Sequence, residues 1–216
     1  MSNNFNIQVD KNHYLNSYDS SPVKFVYYYT QISLSKNLKP ANILEIGVGN
    51  KTYYNYMKEH NYNISSCDFD KALNPDFVAD IRKLPFEDNS YELITACEVL
   101  EHISFVDVSK ALDELHRVTK KYIILAIPYR SPTIEFTFRF PFVGMIFKKS
   151  FVNFFWRIPF PTKDLNFEKE HYWEIGTRSY PLKRILKLFK KKGFRINNIQ
   201  SPVLDATNYF FVLEKK

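Results

Sequence analysis

Cysteine is scarce in this chain. Only Cys67 and Cys97 occur, and no spacing of Cys and His residues fits a structural zinc site. Each falls in an apolar run that reads as a buried strand, so both are expected to be small core residues in a reducing compartment, the cytoplasm. Long apolar runs are lacking too. The longest uncharged ones, 122–129 and 140–147, fall far short of the ~20 residues that a bilayer span requires. Residues 1–10 hold no basic segment followed by an apolar core, so no secretory signal is expected. There is no internal repeat and no low-complexity tract. Nor is there an acidic excess: 30 Lys and Arg against 23 Asp and Glu leave a formal charge of +7. That balance permits contact with nucleic acid or anionic lipid. Much of the excess sits on one helix near the end without a dedicated binding motif, so nucleic acid is not an expected partner. What remains is 45% hydrophobic and 17% aromatic, enough for one folded domain with an insertion.

The organising stretch is Asn42-Ile43-Leu44-Glu45-Ile46-Gly47-Val48-Gly49-Asn50. Ile43, Leu44 and Ile46 form a short apolar run that ends in a Gly-x-Gly turn, the pattern of a buried strand running into a tight ligand-binding loop. Gly47 and Gly49 lack Cβ atoms, so backbone there can approach a nucleotide closely. Glu45 would repel phosphates but suits a cationic ligand, and S-adenosylmethionine carries both a sulfonium and an α-ammonium. The dinucleotide fingerprint needs a third glycine where Thr52 stands, which favours an adenosyl ligand without pyrophosphate over NAD.

Before this loop, Ser21-Pro22 reads as a helix start. Val23, Val26, Tyr27, Thr30 and Leu34 then recur at helical spacing. After it come a short helix over 52–60, a strand over 64–67 ending at Asp68, a third strand over 77–80, and a fourth over 91–96 leading to Glu98. A helix over 107–120 and a buried strand over 122–127 follow. Alternation of this kind predicts a parallel, doubly wound sheet whose ligand lies beyond the carboxyl ends of the strands. Glu45, Asp68, Asp80 and Glu98 all fall at such ends. Asp68 is placed to accept both ribose hydroxyls of an adenosine, or to cap a helix; Asp80 could meet the adenine amino group, with Ile81 against the ring.

The run Ile43 to Gly49, Asp68, Ala79-Asp80-Ile81 with Leu84-Pro85-Phe86, and Glu98-Val99-Leu100-Glu101-His102 resemble the class I S-adenosylmethionine-dependent methyltransferases. More closely, they resemble the subgroup acting on small molecules. The resemblance covers roughly residues 40–128. It implies an α/β, Rossmann-like fold with a seven-stranded, mostly parallel sheet. It also implies that the loop from Glu45 to Gly49 underlies the methionine moiety, Asp68 holds the ribose, Asp80 and Ile81 frame the adenine, and Glu98 lies near the methionine end. The family's third loop glycine is Lys51 here, and its Pro-Gly-Gly before the fifth strand is Thr119-Lys120-Lys121.

These readings divide a single domain into a helical extension (1–39), a cofactor-binding half (40–128), an insertion (129–178) and a closing helix with two strands (179–216). Half of the twenty phenylalanines lie between Pro128 and Gly176, interleaved with Arg130, Arg139 and Arg157. The insertion is expected to be an aromatic-rich helical cap, a lid over an apolar acceptor, or a segment making peripheral membrane contact. It ends in Lys169-Glu170-His171-Tyr172-Trp173-Glu174. His171 is the first candidate for general base, or else an anchor for the cap. His102 is the second candidate. Glu98 to His102 lacks the first histidine of an inverted zinc motif, so no metal is expected.

The expected activity is methyl transfer from S-adenosyl-L-methionine, giving S-adenosyl-L-homocysteine. The acceptor is an oxygen or nitrogen of a small-molecule, glycolipid-like or otherwise lipid-linked compound. The alternatives are a non-catalytic module that binds the same cofactor, and an NAD-binding Rossmann protein. The sequence sets no oligomeric state.

Overall fold

The computed structural model describes residues 21–139, 151–158, 162–164 and 171–216. Helix α1 (Pro22–Leu38) starts where the Ser21 side chain accepts a hydrogen bond from the Val23 amide, with proline in the first turn. It buries Tyr27, Tyr28, Thr30, Gln31, Leu34 and Ser35, and the Tyr27 ring packs 4.9 Å from that of Phe210. The chain then alternates through β1 (Ile43–Ile46), α2 (Thr52–Glu59), β2 (Ile64–Asp68), β3 (Phe77–Val78) and β4 (Tyr91–Cys97). It continues through α3 (Phe105–Val118) and β5 (Thr119–Pro128). Single 3-10 turns at Lys71–Leu73 and Leu100–His102 follow β2 and β4. After the insertion come α4 (Leu182–Lys191), the strand Phe194–Gln200 and the strand Asn208–Lys215.

The insertion differs from the helical cap that its composition suggested. Its described part is an antiparallel ribbon, β6 (Thr133–Phe138) paired with β7 (Val152–Arg157). The reason lies in the alternation of large apolar and polar residues, a period-2 pattern that suits a strand rather than a helix. Ile134 faces Trp156 and Phe136 faces Phe154 across the ribbon, and all four are exposed on one side. Phe140, Phe142, Lys148, Lys149, Lys169 and Glu170 lie outside the described residues. Arg157 ties the ribbon to the sheet. Its guanidinium sits between the rings of Tyr129 and Tyr209, at 4.5 and 4.4 Å from their centroids, and donates to the Ala206 carbonyl at 2.7 Å.

With the last two strands numbered β8 and β9, the main sheet has seven strands in the order β3-β2-β1-β4-β5-β9-β8. The first five pair in parallel, as the doubly wound expectation requires, and β9 runs antiparallel to both neighbours. Side chains alternate between two apolar layers. Leu44 and Ile46 pack with α3 and α4, whereas Ile43 packs with α1 and α2. The last helix begins at Leu182, because Pro181 takes an extended conformation as its N-cap. Gly193, at φ +84°, stops it. Among the described residues no helix is long and apolar enough to cross a membrane.

The turn after β3 is held to the sheet by α3. Arg117 donates to both carboxylate oxygens of Glu114, at 2.8 and 2.9 Å, and to the carbonyls of Leu84 and Phe86. Glu114 in turn accepts the Leu84 amide at 2.8 Å. Bonding to Arg117, helped by the Leu84 amide and opposed by burial, lowers the Glu114 pKa. A depressed native pKa means that this stabilisation is complete above the unfolded value, ~4.3, and is lost as pH falls through the native one. We predict that Glu114→Gln costs about 1–2 kcal/mol at neutral pH, the scale of charge-assisted hydrogen bonds partly exposed to water. The stabilities of the two proteins in urea melts should converge as pH falls below the unfolded value and through the lower native one; a difference that does not shrink on acidification would show that the carboxylate charge is not the cause.

Candidate functional site

At the carboxyl end of β1 the backbone turns through Gly47, whose φ is +82°. Its amide donates to the Cys67 carbonyl at 2.9 Å. A Cβ built there would lie 2.5 Å from Val99 Cγ2, so a side chain is excluded twice, by conformation and by space. Gly49 follows at φ +47° and Lys51 at φ +63°. Lys51, which stands where the resemblance expects a third glycine, is thus itself left-handed. The Lys51 ammonium is bonded to the Asn74 carbonyl and lies 5.8 Å from the Tyr54 ring centroid. Asn50 braces the loop from outside, accepting from Tyr28 Oη at 2.9 Å and from the Thr52 amide at 3.1 Å.

Asp68 ends β2 and is buried. Its Oδ2 accepts the Val48 amide at 2.8 Å and its Oδ1 the Asp70 amide at 2.9 Å. Burial raises its pKa, while those amides pull it back. Each oxygen keeps a second lone pair, so the clamp on the loop leaves acceptor capacity for a ligand hydroxyl. Glu45 lies beneath the loop. Its Oε2 has no hydrogen-bond partner among the described residues. Burial and then the charge of Asp68 hold its pKa well above the usual carboxylate range, against the pull of Lys51. A cationic group entering this place would relieve both conditions.

The remaining strand-end groups are already engaged. Asp80 receives Arg82 on both oxygens, with Nη2 at 2.7 Å from Oδ2, and Ile81 is part of the apolar core. Glu98, at φ +53°, accepts Lys24 Nζ from α1 on both oxygens, at 3.3 and 3.0 Å. Its charge acts on Tyr28 on one side and on Glu101 and His171 on the other. Glu98 therefore joins the glycine loop to a second group of side chains.

That second group is built by the end of the insertion. Trp173 is buried edge-on against Phe105, with centroids 5.1 Å apart, and its Nε1 donates to the Leu100 carbonyl at 3.1 Å. The Tyr172 amide donates to the Glu101 carbonyl at 2.8 Å. Gly176 passes so close to the chain just after β5 that a Cβ would stand 2.4 Å from the Arg130 carbonyl oxygen. These contacts bring His171 to His102, their ring centroids 4.9 Å apart at 78°. Glu174 bonds His171 Nδ1 at 2.8 Å. Burial would lower the His171 pKa; the bond to Glu174 and the charges of Glu101, Glu174 and Glu98 outweigh it, and the net direction is upward. Glu101 is fully buried, and burial reinforced by Glu98 pushes its carboxyl to about 8. Both cysteine thiols are free, and burial raises them, that of Cys67 to about 12.

The structure thus gathers Glu45, Gly47, Gly49, Asp68 and Glu98 around one loop system and sets His102 with His171 beside it. Sequence reasoning missed Lys24, Tyr28, Glu101 and Glu174. Lys24 and Tyr28 stand on a helix whose docking no local pattern reports. Glu101 escapes a sequence reading because His171, whose charge acts on it, lies far along the chain.

Comparison with known proteins bears on this geometry. Residues 44–127 match the family model described as a methyltransferase domain. An uncharacterised protein of Methanocaldococcus jannaschii is 30% identical over 100 residues, a stretch covering 43% of this chain and 43% of that protein. The chain therefore spans under half the length of that curated relative. Among solved structures, a protein from Pyrococcus horikoshii superposes with a TM-score of 0.61 at 14% identity, covering 95% of this chain and 96% of its own. An S-adenosylmethionine-dependent methyltransferase from Aquifex aeolicus gives 0.60 at 11% identity, covering 96% and 100%. The 1,6-didemethyltoxoflavin-N1-methyltransferase of Burkholderia thailandensis, solved with bound 1,6-didemethyltoxoflavin and S-adenosylhomocysteine, gives 0.58 at 12%, covering 95% and 87%. At these identities the structural likeness is one of fold.

The loop geometry carries its own test. Gly47→Ala should lower stability by about 1–2 kcal/mol, the cost of a side chain held in the left-handed region, and should weaken S-adenosylhomocysteine binding in the same sample. A variant that melts and binds like the parent would mean that the loop is not held at φ +82°.

Proposed function

We propose that this chain, a class I S-adenosylmethionine-dependent methyltransferase by its sheet and its matched domain, moves the sulfonium methyl to an oxygen or nitrogen of a small-molecule acceptor. The observation that carries the reading is the pair of buried carboxylates at the ends of β1 and β2, Glu45 with an unpartnered oxygen and Asp68 clamping the Val48 amide. Asp68 would accept the ribose hydroxyls and Glu45 would face the cationic methionine end. Asp80 and Ile81 would frame the adenine, and Glu98 would border the reacting methyl. Transfer is an in-line displacement: the acceptor lone pair forms the new bond as the methyl–sulfur bond breaks. Sulfur leaves as a neutral thioether, so much of the catalysis is positioning and exclusion of water. The apolar face of the ribbon, with Ile134, Phe136, Phe154 and Trp156, favours an acceptor with an apolar part, and a lipid-linked one falls within that class. The same face supports peripheral membrane contact as a second use, and the free thiols support a cytoplasmic setting.

Calorimetry should show S-adenosylmethionine and its demethylated product binding without added metal. Asp68→Ala should weaken either by ~1–3 kcal/mol. No heat from either ligand at millimolar concentration, with the protein folded, would sink the methyltransferase reading, and a response to NADH in its place would support the dehydrogenase alternative.

For a hydroxyl acceptor a group must take the proton as the methyl arrives. We assign this to His171, with His102 second, because both face the Glu98 side of the loop system. His171→Ala should keep cofactor affinity within about twofold and reduce turnover ~10²- to 10⁴-fold, the range for a lost general base. Normal turnover would make His171 structural and pass the role to His102.

A further inference from the structure

Glu101 lies in a condition that a folded protein rarely tolerates. It is 0% exposed, and neither carboxylate oxygen has a hydrogen-bond partner among the described residues. A carboxyl group removed from water without a hydrogen-bond partner is costly in either protonation state, and an apolar side chain would serve packing better. What surrounds it is chemically specific. One ligand-capable atom each from Glu101, His102 and His171 lie within 4.8 Å of one another. Glu101 and His102 are adjacent on the 3-10 turn after β4, whereas His171 is delivered by the end of the insertion. Glu174 takes Nδ1 of His171 at 2.8 Å and is itself backed by Arg130 at 3.9 Å. That bond fixes the imidazole orientation and leaves Nε2 as its other nitrogen, the arrangement of a carboxylate that orients a metal-binding histidine.

We propose that Glu101, His102 and His171 bind one divalent transition-metal cation, with Glu174 positioning His171. Two imidazoles and one carboxylate are a borderline donor set that suits Zn²⁺ and its first-row neighbours; Mg²⁺ prefers an all-oxygen shell. Ligands about 2.1 Å from a tetrahedral ion stand roughly 3.4 Å apart. Binding would draw together ligand atoms that already lie within 4.8 Å of one another. Three protein ligands leave one position open, as catalytic sites do. Cation binding stands independently of the enzymatic reading, but its use rests on that reading. An acceptor hydroxyl in the open position would lose its proton to solvent more readily. Its oxygen would then form the bond to the methyl as the methyl–sulfur pair returns to sulfur. His171 would in that case act as a ligand rather than as the base.

The test uses tag-free protein stripped with chelator and titrated calorimetrically with Zn²⁺, Mn²⁺ and Mg²⁺, with S-adenosylhomocysteine titrated into the same samples. One equivalent of Zn²⁺ should bind per chain, more tightly than Mg²⁺, and should raise the melting temperature. Co²⁺ loading should give the visible bands of a low-coordinate ion. Glu101→Gln, His102→Gln and His171→Gln should each abolish stoichiometric binding, and Glu174→Gln should weaken it about 10- to 100-fold. Should one ligand variant fail to fold, the other two decide. Wild-type protein that takes up no Zn²⁺, or folded ligand variants that bind it like wild type, would overturn the site. Loss of S-adenosylhomocysteine binding by wild type counts against the methyltransferase reading alone, because Zn²⁺ uptake is measured separately.

Discussion

The bond between Asp68 and the Val48 amide, 2.8 Å long and buried, is the contact on which the glycine loop depends. It joins the end of β2 to the turn after β1, and the same carboxylate holds the Asp70 amide at the start of the next turn. Two strand ends and two turns are thereby fixed by one side chain, inside a region where water cannot substitute for a lost partner. Gly47 can keep φ +82° against Val99 only while that clamp holds the loop down. Glu45 is in turn kept beneath the loop and out of solvent, and that burial, with the charge of Asp68, raises its pKa.

Much of this was legible from residue order. Ser21-Pro22 marked the start of α1, and the apolar runs marked five parallel strands, because caps and buried strands leave local signatures. The acidic residues at strand ends were legible for a topological reason. In a doubly wound sheet every strand's carboxyl end faces the same crevice, so position along the strand fixes position at the site. The helical reading of the insertion failed on composition. Phenylalanine and tryptophan are as compatible with a strand as with a cap, and only the period-2 placement of Ile134, Phe136 and Phe138 separates them. Nothing local could pair Lys24 with Glu98 or Glu101 with His171. Those contacts come from docking distant segments, and no spacing rule encodes them.

The end of the insertion has the opposite character to its ribbon. The ribbon presents aromatic rings to solvent, whereas the segment from Tyr172 to Thr177 is bonded to the framework at nearly every step. Trp173 fills the layer between β4 and α3, and its indole N–H reaches the Leu100 carbonyl. Ile175 exchanges hydrogen bonds with Pro128 and Arg130. A histidine placed immediately before such an anchor inherits its rigidity, and Glu174 fixes the ring itself. The insertion thus combines an exposed surface open to variation with a fixed point that delivers one side chain to the site.

The position of β9 between β5 and β8 governs the order in which the molecule can be completed. Seen from a ribosome, β5 emerges with one edge open, and β8 emerges with no strand to pair with, because β9 is its sole neighbour in the sheet. Until residues 208–215 are made, β5 keeps an unpaired edge rich in isoleucine and leucine, a template for any other extended chain nearby. Arrival of β9 covers that edge and captures β8 in one event. A pause in translation ahead of Asn208 would therefore hold the nascent chain at its most aggregation-prone stage.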